Sequence, residues 1–294
     1  MNRRTFLAAA LVAPVVAALA ACGDPDQVPA ATIPGTVPDA TPETVPGSMP
    51  TTRISHSTTA QDVVLKLSYE GGFVPAGYAF VNTPTLLVSG DGRVFTQGAI
   101  PAIFPGPLLP SVMVRSIAED GVQALLGIAQ ADGLLATPPD YTGGDGIADA
   151  PNTVVTINAA GGSFVHSGYA LGIDSPESPT RAALLDAATK LADLETAAGA
   201  ANLGTDQPFE AQTYRFQARA IDPTELTNQD PAPSVVEWPA ATGVSLAAAT
   251  TCARVEATTV GSLFVDAKQN TYFQEGDVVY QLAVAGVLPG DPPC

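Results

Sequence analysis

From Pro25 onward a proline recurs every four or five residues, at 25, 29, 34, 38, 42, 46 and 50, in a stretch nearly free of aromatic and large aliphatic side chains. Proline removes a backbone donor and clashes with the preceding helical turn, so neither a helix nor a central strand runs through such spacing. Residues 22–60 therefore read as a semi-extended, disordered tether. At about 3.1 Å per residue of polyproline geometry, it holds the rest of the chain up to ~100 Å from its starting point. Its threonines are candidate acceptors of O-linked sugar on composition alone. The lone His56 reads as a solvated linker residue. Folding is thereby confined to residues 61–294, long enough for one large domain or two lobes, of about 61–200 and 201–294.

Ahead of the tether, Met1-Asn2-Arg3-Arg4 is a positive segment followed by an apolar run from Phe6 to Ala21 that ends in small residues before Cys22. These are the three parts of a signal peptide over 1–21. Leu19-Ala20-Ala21-Cys22 has the form of a lipobox, whose cysteine accepts a diacylglyceryl group. Two acyl chains meet the requirement for stable anchoring, because each buried CH2 contributes only about 0.8 kcal/mol. Arg3 and Arg4, followed by Thr5-Phe6-Leu7, are similar to a twin-arginine export signal, with Asn2 and Ala8 departing from the usual flanks. A transmembrane anchor is the competing reading, and the run interrupted by Pro14 is short for it.

Charge narrows the partners. Acidic residues number 29 against 12 basic ones, a net charge of -17 that becomes more negative once Arg3 and Arg4 are removed. A phosphate backbone is repelled by such a surface, which argues against nucleic acid. Anionic lipid headgroups are disfavoured for the same reason, so attachment to a membrane is expected through lipid alone.

Within the body, Val63, Leu65, Leu67 and Tyr69 alternate with Val64, Lys66, Ser68 and Glu70, the period of a half-buried strand. Leu86–Ser89 and Val94–Gln97 flank Gly90-Asp91-Gly92, which predicts a hairpin. Thr153–Asn158 and Ser163–Leu171 predict a second, joined through residues 159–162. After a strand over Val112–Arg115, Ser116 and Glu119 have capping-box spacing ahead of a helix with Val122, Leu125, Leu126 and Ala129 inward and Gly133 as terminator. A longer helix is expected from Ser178 as N-cap, with Pro179 at its first position, to Gly199. Tyr214, Phe216, Ala218 and Ala220 mark another strand, and Val278, Tyr280, Leu282 and Val284 the last, after a short helix near Val260–Lys268. Strands outnumber helices and hairpins replace crossovers. The expected fold is α+β, with mainly antiparallel sheet and two or three helices. At an offset of 138, Ile117, Val122, Leu125, Leu126 and Ala129 fall on Val255, Val260, Leu263, Phe264 and Ala267, a faint repeat that would make two related lobes.

With Cys22 lipidated, Cys252 and Cys294 remain as a pair in an oxidising compartment and are expected to bond to each other. Serine triads, HExxH helices, CxxC pairs, Walker loops and dinucleotide fingerprints are absent. No cofactor is implied and no catalytic residue is assigned. His166 lies in an expected strand and reads as a side chain satisfied by a neighbour. The loop holding Asp140, Asp145 and Asp149 is oxygen-rich but fits no EF-hand register, so a solvated acidic loop is favoured over a calcium site. The Pro-rich stretch 98–110 carries Ile103, Phe104 and Leu108; it either folds back over the core or forms an apolar contact for a partner.

The lipobox, the strand-hairpin opening, Pro101-Ala102-Ile103-Phe104-Pro105-Gly106-Pro107, the Trp238-Pro239 pair and the terminal Cys together resemble secreted lipoproteins of actinobacteria. That likeness implies an envelope location and no particular activity. The reading is a membrane-anchored extracytoplasmic lipoprotein with a non-enzymatic body that binds an envelope protein or polymer. Two alternatives stand beside it: a hydrolase or carbohydrate-active enzyme using Asp140, Asp145 or Glu210, and a calcium-stabilised module.

Overall fold

The computed structural model describes residues 53–294 apart from 145, 174–176 and 228. The signal, Cys22 and most of the tether lie outside the described residues. The fold is α+β, with two largely antiparallel sheets. The first contains β1 (Val63–Glu70), β2 (Leu86–Ser89), β3 (Arg93–Gln97), β4 (Val112–Ser116), β5 (Asn152–Ala159), β6 (Gly162–Tyr169) and β7 (Gln207–Pro208). Its spatial order is β6-β5-β1-β2-β3-β4-β7. The second contains β8 (Thr213–Ala220), β9 (Ser234–Glu237), β10 (Ala253–Glu256), β11 (Thr271–Glu275) and β12 (Val278–Gly286), in the order β10-β8-β12-β11-β9. Only β9 and β11 pair in parallel among these strands. Both sheets fall within one unit, Thr51–Cys294.

Six α-helical segments occur among the described residues, more than the two or three expected: α1 (Tyr78–Val81), α2 (Glu119–Ala131), α3 (Pro179–Ala192), α4 (Leu194–Ala198), α5 (Ala257–Val260) and α6 (Leu263–Asp266). Only α2 and α3 exceed five residues. Ser178 caps α3 by accepting from the Arg181 amide, and Pro179 occupies the first helical position. The chain breaks at Asp193, whose carboxylate caps α4. At the end of α2, Gly133 takes φ 76°, while its amide reaches Gln130 O and that of Leu134 reaches Ala129 O. This is a Schellman end, and the left-handed position favours glycine.

Three expectations fail locally. The capping box at Ser116 does not form: Ile117 and Ala118 stay extended because their amides bond Gly92 O and Asn202 O, so α2 begins at Glu119 with Ala118 as N-cap. The alternation of β1 is broken by a bulge between Val63 and Leu65, which buries Val64 alongside Leu65. The packed chain also starts earlier than residue 61. Ile54 rests on the core, its backbone pairs with the Gln123 side chain, and Ala160 N reaches Ser55 O. His56 is no solvated linker residue: its side chain is largely buried, contacting Ser57 O and the Glu119 carboxylate.

The suggested repeat does not survive the topology either. In the first sheet the earlier strand of the hairpin, β5, abuts β1, whereas in the second the later strand, β12, abuts β8. The continuous helix α2 corresponds to two single turns, α5 and α6, separated by Gly261 at φ 55°.

Three cores follow from these arrangements. The helices α2, α3 and α4 cover one face of the first sheet, burying Leu65, Leu67, Val88, Val155 and Ile157 against Leu125, Leu126, Leu184 and Leu191. On the opposite face, Leu87 and Phe95 pack beneath Leu288 with Phe209 and Val63. The second sheet has an aromatic core of Tyr214, Phe216, Trp238, Phe264 and Phe273. Trp238 donates its indole N–H to Val244 O at 2.7 Å, which satisfies the one polar atom it buries.

Cys252 and Cys294 form a disulfide across a sequence separation of 42. Loops of this size gain about 2–4 kcal/mol from closure. The double replacement Cys252→Ser, Cys294→Ser is therefore expected to reduce unfolding free energy in urea by about that amount. An unchanged midpoint and slope would show that the bridge contributes nothing.

Candidate binding surfaces

The Pro-rich stretch is part packed and part exposed. Leu108 and Leu109 turn inward against the second core, while Ile100, Ile103 and Phe104 are 82%, 65% and 69% exposed. The base of this loop is fixed. Leu108 N bonds Ala267 O, Gln269 N bonds Gly106 O, and the Gln269 side chain accepts from Gly106 N. A groove beside the tip is lined by Tyr78, Val81, Ile100, Pro101, Leu108 and Leu109. The loop joins β3 to β4 at the end of the sheet opposite the 90–92 and 160–161 turns. Those turns are contacted by Ser55, Ser57 and Thr59, so residues 55–59 lie at the far end from the tip.

A second feature has no counterpart among the sequence motifs. The face of the first sheet turned away from the helices is apolar at β2 and β3, where Leu288 covers it, and more polar at β1 and β5, where Lys66, Ser68, Glu70, Thr156 and Asn158 share it with Val63 and Val154. There a cleft of about 830 Å³ opens, with Lys66, Ser68 and Glu70 of β1 and Thr156 and Asn158 of β5 on one wall. Lys66 stands directly opposite Thr156 in the ladder. Tyr78 and Asn82, together with Arg215 and the 288–292 segment, line much of the remainder, alongside apolar Val74, Pro84 and Leu87. The segment carrying Tyr78 is seated on β12 through Gly77, at φ 80°, where an added Cβ would lie 2.9 Å from Ala283 Cβ. Phe80 lies 4.9 Å under the Arg215 guanidinium. Alternate polar residues on a strand also describe an ordinary solvated face, so the pattern of β1 alone does not mark a cleft.

The acidic loop is organised around a cation. Arg181 is almost wholly buried, pairs with Glu177, and donates to Tyr141 O at 3.1 Å and Tyr169 O at 3.0 Å. Gly143 lies so close that a Cβ there would meet the Arg181 Nε at 2.8 Å. Hydrogen bonds from Arg181 and from Gly172 N hold the Glu177 carboxyl below its ordinary value. His166 is fully buried: its Nε2 faces Leu134 O, which can only accept, so Nε2 carries the hydrogen and Nδ1 accepts from Tyr141 Oη at 2.7 Å. Burial pushes its pKa down, consistent with a neutral ring.

The carboxylates considered for chemistry do not converge. Asp140 is exposed, and the Thr142 hydroxyl and amide bond it and lower its pKa. Asp149 is exposed at φ 62°, and Asp145 lies outside the described residues. Glu210 lines a separate depression with Phe209 and Gln212, which neither Asp140 nor Asp149 reaches. Among the described residues, no group of three or more His, Cys, Asp and Glu side chains is placed to hold a metal ion. No described helix is long and apolar enough to cross a membrane. No family model, curated protein or solved structure matches the chain.

Proposed function

We propose that this chain is a lipid-anchored protein of the envelope whose body binds another envelope protein through the tip formed by Ile100, Ile103 and Phe104, and that it acts by binding rather than by catalysis. The anchor rests on the lipobox at Cys22 and the two acyl chains it would carry. The observation that carries the binding reading is the exposure of three large apolar side chains on a loop whose base is hydrogen-bonded in place. Exposed apolar anchors on a pre-ordered loop lose little conformational freedom on association, which is how a small patch reaches useful affinity. The tip carries no charge, and the acidic body disfavours an anionic surface as its target, so a protein with an apolar pocket is the fitting partner.

A photo-crosslinker at position 103 in intact cells identifies the neighbour, and binding is then measured between the two purified proteins. The double replacement Ile103→Ser, Phe104→Ser is expected to weaken that binding at least about 30-fold, as for a hot-spot pair. Equal affinity of the variant would overturn the assignment. Mass spectrometry of the membrane fraction tests the anchor: a mature N-terminus at diacylated Cys22 is expected, and an unprocessed chain contradicts it.

A further inference from the structure

We propose that the cleft between the polar half of the first sheet and Arg215 is a second site, sharing only Tyr78 and Asn82 with the groove beside the tip, and that it binds a neutral polyhydroxylated ligand, an oligosaccharide. Its size lies within the range of small-ligand pockets, about 300–1,000 Å³, at about 830 Å³. Its floor is chemically distinct from the rest of the same sheet face. Where β2 and β3 are apolar they are covered, and where β1 and β5 are more polar the space is left open. Ser68 is nearly inaccessible at this floor, with its hydroxyl donating to Glu70 at 2.6 Å. A polar floor beneath an open space contributes less to stability than packed apolar residues, the pattern expected where a site is maintained for binding.

The charges of the cleft already have partners of opposite sign. Lys66 lies 3.4 Å from Glu70, and Arg215 forms an ion pair with Asp291 at 3.3 Å, although its buried Nε makes no hydrogen bond. The remaining carboxylate, Asp62, accepts from the Ser57 hydroxyl. An anionic ligand would have to compete for both cations inside a strongly acidic body, and it would add a charge that nothing balances. What stays open is uncharged: the hydroxyls of Thr156 and Tyr78 and the side-chain oxygen of Asn82, whose amide nitrogen donates to Tyr69 O. These groups supply both donors and acceptors, as sugar hydroxyls require. The half-exposed Tyr78 ring offers a flat face for the C–H side of a pyranose. An acyl chain would leave this polar floor without partners, at a cost for each buried group.

The test uses the full chain, purified in a detergent without sugar headgroups, and ligand-observed NMR followed by calorimetry. The probes are maltotriose, cellotriose, mannotriose and chitotriose, with glucose 6-phosphate, a neutral hexapeptide and decanoate as contrasts. At least one neutral trisaccharide is expected to bind. Thr156→Val and Tyr78→Ala should each weaken it about tenfold, the effect of one lost hydrogen bond or stacking contact. Ile103→Ser, Phe104→Ser should leave sugar binding unchanged, which separates this site from the tip. Melting temperatures of the cleft variants within about 2 °C of the parent would exclude misfolding, since surface changes usually stay within ±0.5 kcal/mol. If no trisaccharide binds at about 10 mM, a concentration that already admits very weak affinity, the proposal fails. It also fails if binding is indifferent to both cleft variants, or if a contrast probe binds more tightly than every sugar.

Discussion

Replacing Phe264 with alanine is expected to destabilise the protein by about 4 kcal/mol, or about 10 °C in melting temperature. The ring is fully buried, with centroids 5.3 Å from Tyr214, 6.2 Å from Phe216, 6.0 Å from Trp238 and 5.9 Å from Phe273. Its neighbours are rigid rings held by the strands β8 and β11 and by the Trp238 hydrogen bond, so they collapse poorly into the space left behind. Poor collapse keeps the cost above the lower end of the range for aromatic truncation. Val265→Ala, one position away but 62% exposed, is the control and should change stability by less than about 0.5 kcal/mol. Differential scanning calorimetry of the two variants decides the matter. A Phe264→Ala shift no larger than the control would mean that the second sheet is not organised around this ring.

Arg181→Ala should have a comparable effect, about 3 kcal/mol, through a different cause. The guanidinium fills a buried space and satisfies Glu177, Tyr141 O and Tyr169 O, all of which lose a donor when it is removed. The loop over Gly143 loses its support at the same time. A pH dependence identifies the pair. Glu177 has a folded pKa below its ordinary 4.5. Its contribution is therefore present above that ordinary value and disappears as pH falls through the lower folded value. Urea unfolding at a series of pH values below 4.5 should show a steeper loss for the parent than for Arg181→Ala. Parallel slopes would show that the pair does not couple to folding.

Much of this fold was legible where one residue type repeats at one period. The alternation in β8 and β12, the Gly-containing turns of both hairpins, and Ser178-Pro179 ahead of α3 each pointed to the element found there. Local signals failed where a distant backbone supplied the competing bond. The amides of Ile117 and Ala118 are held by Gly92 and Asn202, so the Ser116 capping box had no helix start to cap. His56 sits just after a Pro-rich tether and looked solvated, yet Glu119, 63 residues away, draws it onto α2. Nothing local sets Arg181 apart from an exposed helical charge; its burial comes from Tyr141 and Gly143, some 40 residues away. The tip residues Ile103 and Phe104 were singled out because apolar side chains between prolines have no ladder to join. The cleft has no signature in the sequence because Lys66, Ser68 and Glu70 become a floor only once Arg215 and the 288–292 segment stand opposite them.

Placing Arg53 and Phe104 at opposite ends of the first sheet sets how the body would carry a mechanical load. A pull between those two points runs along the strands, so the hydrogen bonds joining β1 to β2 and β2 to β3 are loaded in shear and must yield together. The same force applied across the strands would peel the ladders one bond at a time. Resistance to tension would therefore depend on the direction of pull, with the strong axis lying between Arg53 and Phe104.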